Sequence, residues 1–446
     1  MTEILSSRPA EGADLLLRGA RALDPEAAVD GARDIVIRDG RIAELAEPGS
    51  APAEGLEVVD AEGLLAVPAF FDPHVHLRTP GREDEEDIET GTRAAAAGGY
   101  CGILAMANTE PVIDTAAAVA ALRERAAREA SVRVGFLAAV TVGQAGEELT
   151  EMAELREAGA AAFSDDGLPI RSARLMRLAL QYQRLAGGVI TLHEEDPDLS
   201  GEGVMHEGPV SAALGLAGIP SVSETTMIAR DAMLAGYEGG RIHVQHLSAA
   251  ESVEAVAAGK EAGIRISCEA TPHHLTLTDE TVRSLDARFK MNPPLRSEDD
   301  RRALLDGLRS GTIDCVATDH APHSPEEKEV PFEEAAMGVT GFETAFSILH
   351  TDLVLSGELD LETLVRRMSA GAALFDLPVP SLSAESEANV TLIDPEAEWT
   401  VGEHGYESRS TNSCFAGRRL KGRVVLTVAA GGIAYRERSF ALGVAA

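Results

Sequence analysis

Ala69-Phe70-Phe71-Asp72-Pro73-His74-Val75-His76-Leu77-Arg78 opens as an apolar run and closes on two histidines and an arginine, each two residues from the next. Side chains of an extended strand alternate between its faces. His74, His76 and Arg78 are therefore expected on one side, at the C-terminal end. Two imidazoles on a rigid strand are the start of a metal site. The pair alone is weak evidence, because 12 histidines in 446 residues give about 0.3 such pairs by chance. Pro73 forfeits a ladder hydrogen bond, so an irregular strand is expected there.

Working outward, seven more short apolar runs follow, at 102–107, 133–140, 160–165, 188–193, 241–247, 264–270 and 314–319. Buried parallel strands have this composition. Helical patterns separate them: Thr115–Arg128, Ser172–Leu185 and Ser223–Ala235, the last opening on a possible serine cap. Eight strand–helix repeats over about 250 residues predict an α/β chain built on a (β/α)8, TIM-like barrel. A doubly wound sheet is the alternative, but no G-x-G-x-x-G follows the first strand. The two ends read differently. Residues 13–67 carry short strands and an Asp39-Gly40 turn, and similar strands recur at 389–393 and 423–428. We expect residues 13–67 and 385–440 to form one small composite β-sandwich domain, beside a catalytic barrel over 68–384.

The formal charge of −34 argues against nucleic acid and anionic membranes as partners, since the summed field repels both. No secretory leader or bilayer-length apolar run is visible. Cys101, Cys268, Cys315 and Cys414 form no C-x-x-C pair and read as reduced, buried thiols of a cytoplasmic protein.

In such a barrel the chemistry collects at the C-terminal strand ends. There stand His74 and His76, Asn108, Asp165-Asp166, His193, His246 and Asp319-His320, with His323 just beyond. Histidine and carboxylate are the ligands that hydrolytic zinc sites use, and a shared carboxylate can bridge two cations. Blander readings apply to some neighbours. His243 lies three residues before His246 and is expected to point outward, to the helix layer. His273-His274 is expected to fix a loop. The run Glu83-Asp84-Glu85-Glu86-Asp87 is expected to be a solvated loop or helix start. Ser324–Ala336 reads either as a loop closing over a substrate or as an ordinary surface loop.

Asp72-Pro-His74-Val-His76-Leu-Arg78 and Ala317-Thr-Asp319-His320-Ala-Pro-His323 resemble the metal-binding signatures of cyclic amidohydrolases, and in particular of bacterial dihydroorotases of the longer-chain type. Met106-Ala-Asn108-Thr, Phe163-Ser-Asp165-Asp166-Gly167, Phe289-Lys-Met-Asn292-Pro-Pro-Leu-Arg296 and Gly341-Phe-Glu-Thr-Ala-Phe extend the likeness from about Leu15 to Arg436. The resemblance implies one or two zinc ions per chain: His74, His76 and Asp319 on the first, His193 and His246 on the second, and Asp166 bridging. It implies that Arg78, Asn108 and His323 bind a substrate carboxylate. Asn292 and the backbone at Met337 and Gly338 would meet a pyrimidine ring, and Asp319 would double as general acid/base. The implied reaction is reversible hydrolysis of dihydroorotate to N-carbamoyl-aspartate in pyrimidine biosynthesis. A homodimer, or a complex with aspartate transcarbamoylase, is implied in the same way.

Related hydantoinases, allantoinases and many dihydroorotases bridge their metals with a carbamylated lysine. No lysine precedes Lys260 here, so a carboxylate must serve, and strand alternation favours Asp166 over Asp165. Arg78 offers a planar match to a carboxylate, which argues against a dihydropyrimidinase or allantoinase. A non-catalytic scaffold relative should have lost ligands, and every expected ligand is present. Departures from the family pattern are Ala69, Pro73, Ala107 and Glu194, none at an implied ligand.

Overall fold

The computed structural model describes residues 4–441. Eight barrel strands occur where the apolar runs are: Phe70–Val75, Tyr100–Ala105, Arg133–Phe136, Phe163–Ser164, Ile190–Leu192, Arg241–Val244, Arg265–Ala270 and Cys315–Val316. The first three form one parallel sheet and the last five another. Single parallel bridges, Ala138 to Phe163 and Val75 to His320, join the two sheets at both seams, and the barrel closes. Several strands are shorter than the apolar runs. The residues beyond their ends leave the ladder to build the mouth.

Helices cover the barrel. Ala116–Glu129 and Ala173–Ala186 are capped by the hydroxyls of Thr115 and Ser172, which accept otherwise orphaned N–H groups. The third expected helix spans Val222–Glu238. Ser223 lies inside its first turn rather than capping it, its hydroxyl donating to Pro220 O at 2.7 Å.

The chain ends share one mixed sheet of eight strands. Its path runs Gly432–Arg436, Arg419–Ala429, Val390–Thr400, Leu65–Pro68, Leu15–Asp24, Val29–Arg38 and Arg41–Ala46, with Glu57–Asp60 paired to Leu15–Asp24. Leu65–Pro68 joins the ends, parallel to Leu15–Asp24 on one edge and antiparallel to Val390–Thr400 on the other. The sheet has its own apolar core, drawn from both ends of the sequence: Leu15, Ile35 and Ile37 against Val390, Leu392 and Leu426.

Pro73 sits at a bulge. Asp72 pairs with Ile103 and Val75 with Ala105, so three steps on the first strand oppose two on its neighbour. The extra residue re-aims the chain, as bulges beside active sites do, and no ladder bond is asked of the proline.

Candidate active site

Six side chains from five strand ends converge at the barrel mouth. His74 Nε2 lies 3.5 Å from both Asp166 Oδ1 and Asp319 Oδ1. His76 Nε2 is 3.1 Å from Asp319 Oδ1 and 3.5 Å from Asp166 Oδ2. His193 Nδ1 and His246 Nε2 stand 3.9 and 3.8 Å from Asp166 Oδ1. Ligand atoms of His74, His76 and Asp319 lie within 4.8 Å of one another, and so do those of His74, Asp166 and His246. Asp165, by contrast, turns to the loop after the third strand and accepts from the N–H groups of Val140 and Thr141 and the Thr141 hydroxyl.

All six are buried, and burying charge without partners is costly. Burial alone would keep His74 neutral, yet Glu269, Asp319 and Asp166 raise its pKa well above the ordinary value. Burial opposes ionisation of Asp166 and Asp319 too, yet the histidines around them, His74 first, keep both well below the usual carboxylate range. His246 is driven down to about 3 by burial and by His193 and His74. The cluster is thus a pair of carboxylates demanding positive charge from crowded imidazoles. His74 Nε2 and Asp166 Oδ1 are buried with no hydrogen-bond partner. Two orphaned donor atoms aimed at one point, with nitrogen and carboxylate ligands around them, fit a divalent cation.

The outer nitrogens of three of the histidines are engaged. His76 Nδ1 is 3.0 Å from Asn108 Oδ1, and the Asn108 amide donates to Asp166 Oδ2 at 3.1 Å. His193 Nε2 is 3.2 Å from Glu195 Oε2, which also accepts from Asn292 Nδ2 at 2.6 Å. His74 Nδ1 is 2.6 Å from Glu269 Oε1. Glu195 and Glu269 were not among the residues the sequence singled out. Period-two spacing within Arg265–Ala270 puts Ser267 and Glu269 on one face, and that was the available signal.

His243 corrects its expected placement. It does not face the helix layer. It is fully buried beneath the cluster, with Nε2 3.0 Å from Glu269 Oε2 and Nδ1 2.8 Å from Ser267 Oγ. The strand ends at Val244, and His246 itself holds a left-handed φ of +31°, so simple alternation from one histidine to the other fails.

The acidic run is a helix start, as expected, with Asp84 exposed, but it is only partly solvated. Glu85 and Glu86 are buried. Glu86 accepts from the Ser408 hydroxyl and the Arg409 N–H, and Asp87 caps the helix Ile88–Ala97. Glu85 Oε2 is 3.3 Å from Arg78 Nε. Arg78 Nε also donates to Pro322 O at 3.0 Å, and its Nη2 is 3.3 Å from His323 Nε2. His323 Nε2 lies 2.9 Å from Met337 O and Nδ1 lies 2.7 Å from Glu327 Oε2. Gly338 holds φ +141°, and a side chain there would meet Ala321 and His323 at 2.8 Å. The segment after His323 is anchored by buried Lys328, Phe332 and Ala335.

Beside the cluster a cavity of about 360 Å³ is lined by Gln144, Gly167, Leu168, Arg171, Glu195 and Asn292, among others. It has room for a small ring next to Asp166.

A family model described as Dihydro-orotase-like matches residues 63–252. A dihydroorotase of Anaeromyxobacter dehalogenans (strain 2CP-C) is 47% identical over 426 residues, which are 95% of this chain and 98% of that protein. One from Citrifermentans bemidjiense is 46% identical over 95% of this chain and 100% of its own length. Among solved structures, L-hydantoinase from Arthrobacter aurescens superposes with a TM-score of 0.84 at 25% identity, over 95% of this chain and 96% of that chain. Dihydropyrimidinase from Brevibacillus agri, at 22% identity and TM-score 0.82 over 95% of each chain, shares the fold.

Proposed function

This chain belongs to the dihydroorotase family, and from that premise we propose a role for each residue at the barrel mouth. The chain is a metal-dependent cyclic amidohydrolase that opens the ring of dihydroorotate to N-carbamoyl-aspartate and closes it again. The observation that carries the reading is the meeting of His74, His76, Asp166 and Asp319 around two orphaned buried ligand atoms.

We assign His74, His76 and Asp319 to one zinc position, His193 and His246 to a second, and Asp166 to both. Zinc bound there supplies a Lewis acid that brings the pKa of water from about 15.7 to about 7 and polarises the ring carbonyl. Asp319 takes the proton from the attacking water. It returns that proton to the ring nitrogen as the C–N bond breaks, a contribution of about 10²–10⁴ in rate. The Asp319 carboxylate is already 3.1 Å from His76, so its position is set before substrate arrives.

Arg78 and His323 bind the substrate carboxylate. Their nitrogens are 3.3 Å apart, close enough to share one anion. Asn108, held by His76 and Asp166, is assigned to the same carboxylate. Asn292 and the backbone of Met337 and Gly338 bound the ring. The buried walls keep bulk water from the reacting carbonyl.

The finer assignments include the divisions 13–67 with 385–440 and 68–384, supported by the separate core of the end-domain sheet. They also include a cytoplasmic location, and association either as a homodimer or with aspartate transcarbamoylase. No helix of the described residues is long and apolar enough to cross a membrane. Light scattering with and without added aspartate transcarbamoylase tests the association.

The deciding experiment assays the zinc-loaded chain on dihydroorotate, dihydrouracil and allantoin, with and without chelator. Chelator-sensitive turnover of dihydroorotate is expected. Turnover of dihydrouracil without dihydroorotate would overturn the reading.

A further inference from the structure

We propose that Glu269 is the positioning residue that sets two metal-ligand histidines at once, His74 through its ring and His246 through its backbone. The inference rests on the metal-site reading above.

Glu269 comes from the seventh barrel strand, Arg265–Ala270, and is fully buried. Its carboxylate accepts from three nitrogens. Oε1 is 2.6 Å from His74 Nδ1 and takes the N–H of His246 at 3.2 Å. Oε2 is 3.0 Å from His243 Nε2, and Ser267 Oγ holds the far side of that ring at 2.8 Å. The main-chain oxygen of Glu269 accepts from Leu247 N–H at 2.9 Å. One residue therefore grips both His246 and the residue after it.

Two consequences follow from chemistry. A carboxylate is an acceptor only, so the proton of His74 is on Nδ1. Nε2 is thereby the nitrogen turned to Asp166 and Asp319, the one that would give up its proton to a cation. A carboxylate behind a ligand imidazole also raises its basicity, and removal of such partners weakens metal binding. His246, meanwhile, holds a left-handed φ of +31°. A non-glycine residue stays there only when its surroundings over-determine it, and the Glu269 bond to its N–H is one of the constraints. His243 completes the arrangement. Without it, Oε2 would be a buried, half-paired charge, which is costly.

A merely structural carboxylate and a positioning one differ in what their loss changes. Glu269→Gln keeps the shape, loses the charge, and sets an amide donor against at least one N–H. Its zinc affinity, read by competition with a chromophoric chelator, is expected to fall about ten- to hundred-fold. At saturating zinc, KM for dihydroorotate is expected to be unchanged, and Glu269→Asp should recover part of the affinity. Circular dichroism of the metal-free proteins verifies the fold. Wild-type zinc affinity in folded Glu269→Gln overturns the inference and leaves the metal-site reading standing. A wild-type chain that takes up no zinc overturns both. Should Glu269→Gln not fold, His243→Phe takes its place, since it leaves Glu269 in the chain but withdraws the Oε2 partner. A smaller loss of zinc affinity is expected there, and an unchanged affinity overturns the inference.

Discussion

Nδ1 of His193 faces Nε2 of His246 at 2.9 Å, and Asp166 Oδ1 lies within 4 Å of both. Two imidazole nitrogens this close cannot both carry a proton. Burial holds His246 down to about 3, while Glu195 and Asp166 outweigh burial and raise His193. A cation between them replaces the single proton that the pair can hold and satisfies both lone pairs.

Asp166 lies within 4 Å of all four histidines, and its Oδ1 has no hydrogen-bond partner. Asp166→Ala is expected to lower the metal-to-protein ratio measured by elemental analysis. It should also reduce kcat by about 10³ or more, as loss of a metal-activated water implies. An unchanged ratio contradicts the assignment of Asp166 to both positions.

Arg78 is proposed to select an anionic ring. Its side chain is part-buried beside His323, and a hydrogen bond to a charged group contributes about 1.5–3 kcal/mol. Arg78→Met should lower kcat/KM on dihydroorotate by about 10–100-fold. Any activity on dihydrouracil, which lacks the carboxylate, should stay within a few fold. Steady-state kinetics on both substrates give the ratio, and an equal loss on the two would show that Arg78 does not read the carboxylate.

Much of this site was legible in the sequence because histidine and carboxylate residues stand at the ends of the apolar runs, even though the first strand ends at Val75 and Arg78 has a left-handed φ of +53°. The convergence of strand ends follows from the barrel. What was not legible follows from breaks in strand alternation. The bulge at Pro73 and the left-handed residues His246 and Asp319, at φ +31° and +47°, change the facing of whatever comes next. Alternation counted from His246 back to His243 fails because the strand ends at Val244, between them. In the acidic run 83–87 the helix start at Asp87 follows the sequence, and the burial of Glu85 and Glu86 does not. Charge density suggests solvent, whereas Glu85 and Glu86 have buried partners far along the chain, in Arg78 and Ser408. Long-range pairing of this kind leaves no local pattern.

Asp72 links the first and eighth strands at the mouth. It accepts from the Thr318 hydroxyl at 2.6 Å, the Thr318 N–H at 3.2 Å and the His74 N–H at 3.1 Å. Thr318 immediately precedes Asp319, so this tie holds two proposed ligands in register. Thr318→Val removes one donor and leaves a buried carboxyl oxygen short of a partner. The expected cost is about 1–3 kcal/mol, seen as a lower denaturation midpoint. Metal content should fall less than in Asp166→Ala.

Lys328 gives a pH signature. It is buried, and its ammonium donates to the carbonyls of Lys290, Ala336 and Gly338. Burial first, and Lys290 second, bring its pKa from 10.5 to about 8. Between those values the unfolded chain binds the extra proton, so this residue makes stability rise with pH through that window. The gain is lost as pH falls back through 8. The linkage amounts to at most about 3 kcal/mol, at about 1.36 kcal/mol per pH unit. Denaturant unfolding of the metal-free chain at pH 7.5 and 10 should show wild type gaining on Lys328→Met. Parallel behaviour of the two would refute it.

Glu327 sets one of the protein's own carboxylates against His323, on the ring nitrogen opposite the one that faces Arg78. It accepts from His323 Nδ1 at 2.7 Å and pairs closely with Arg82, which also pairs with Glu85. His323 and Arg78 are thus already in contact with the protein's own carboxylates, and an incoming anion must compete with them. Burial is the largest influence on Glu327 and opposes its charge, but Glu85, His323 and Arg82 hold it down to about 2. It is therefore a charged competitor at neutral pH. Glu327→Gln keeps the size and removes the competing charge, so KM for dihydroorotate is expected to fall about three- to tenfold, of the order of one exposed ion pair. The effect should shrink at high salt, where exposed pairs are screened. A KM that rises instead would mean that Glu327 orients His323 for binding rather than competing for it. Initial rates at low and high ionic strength distinguish the two.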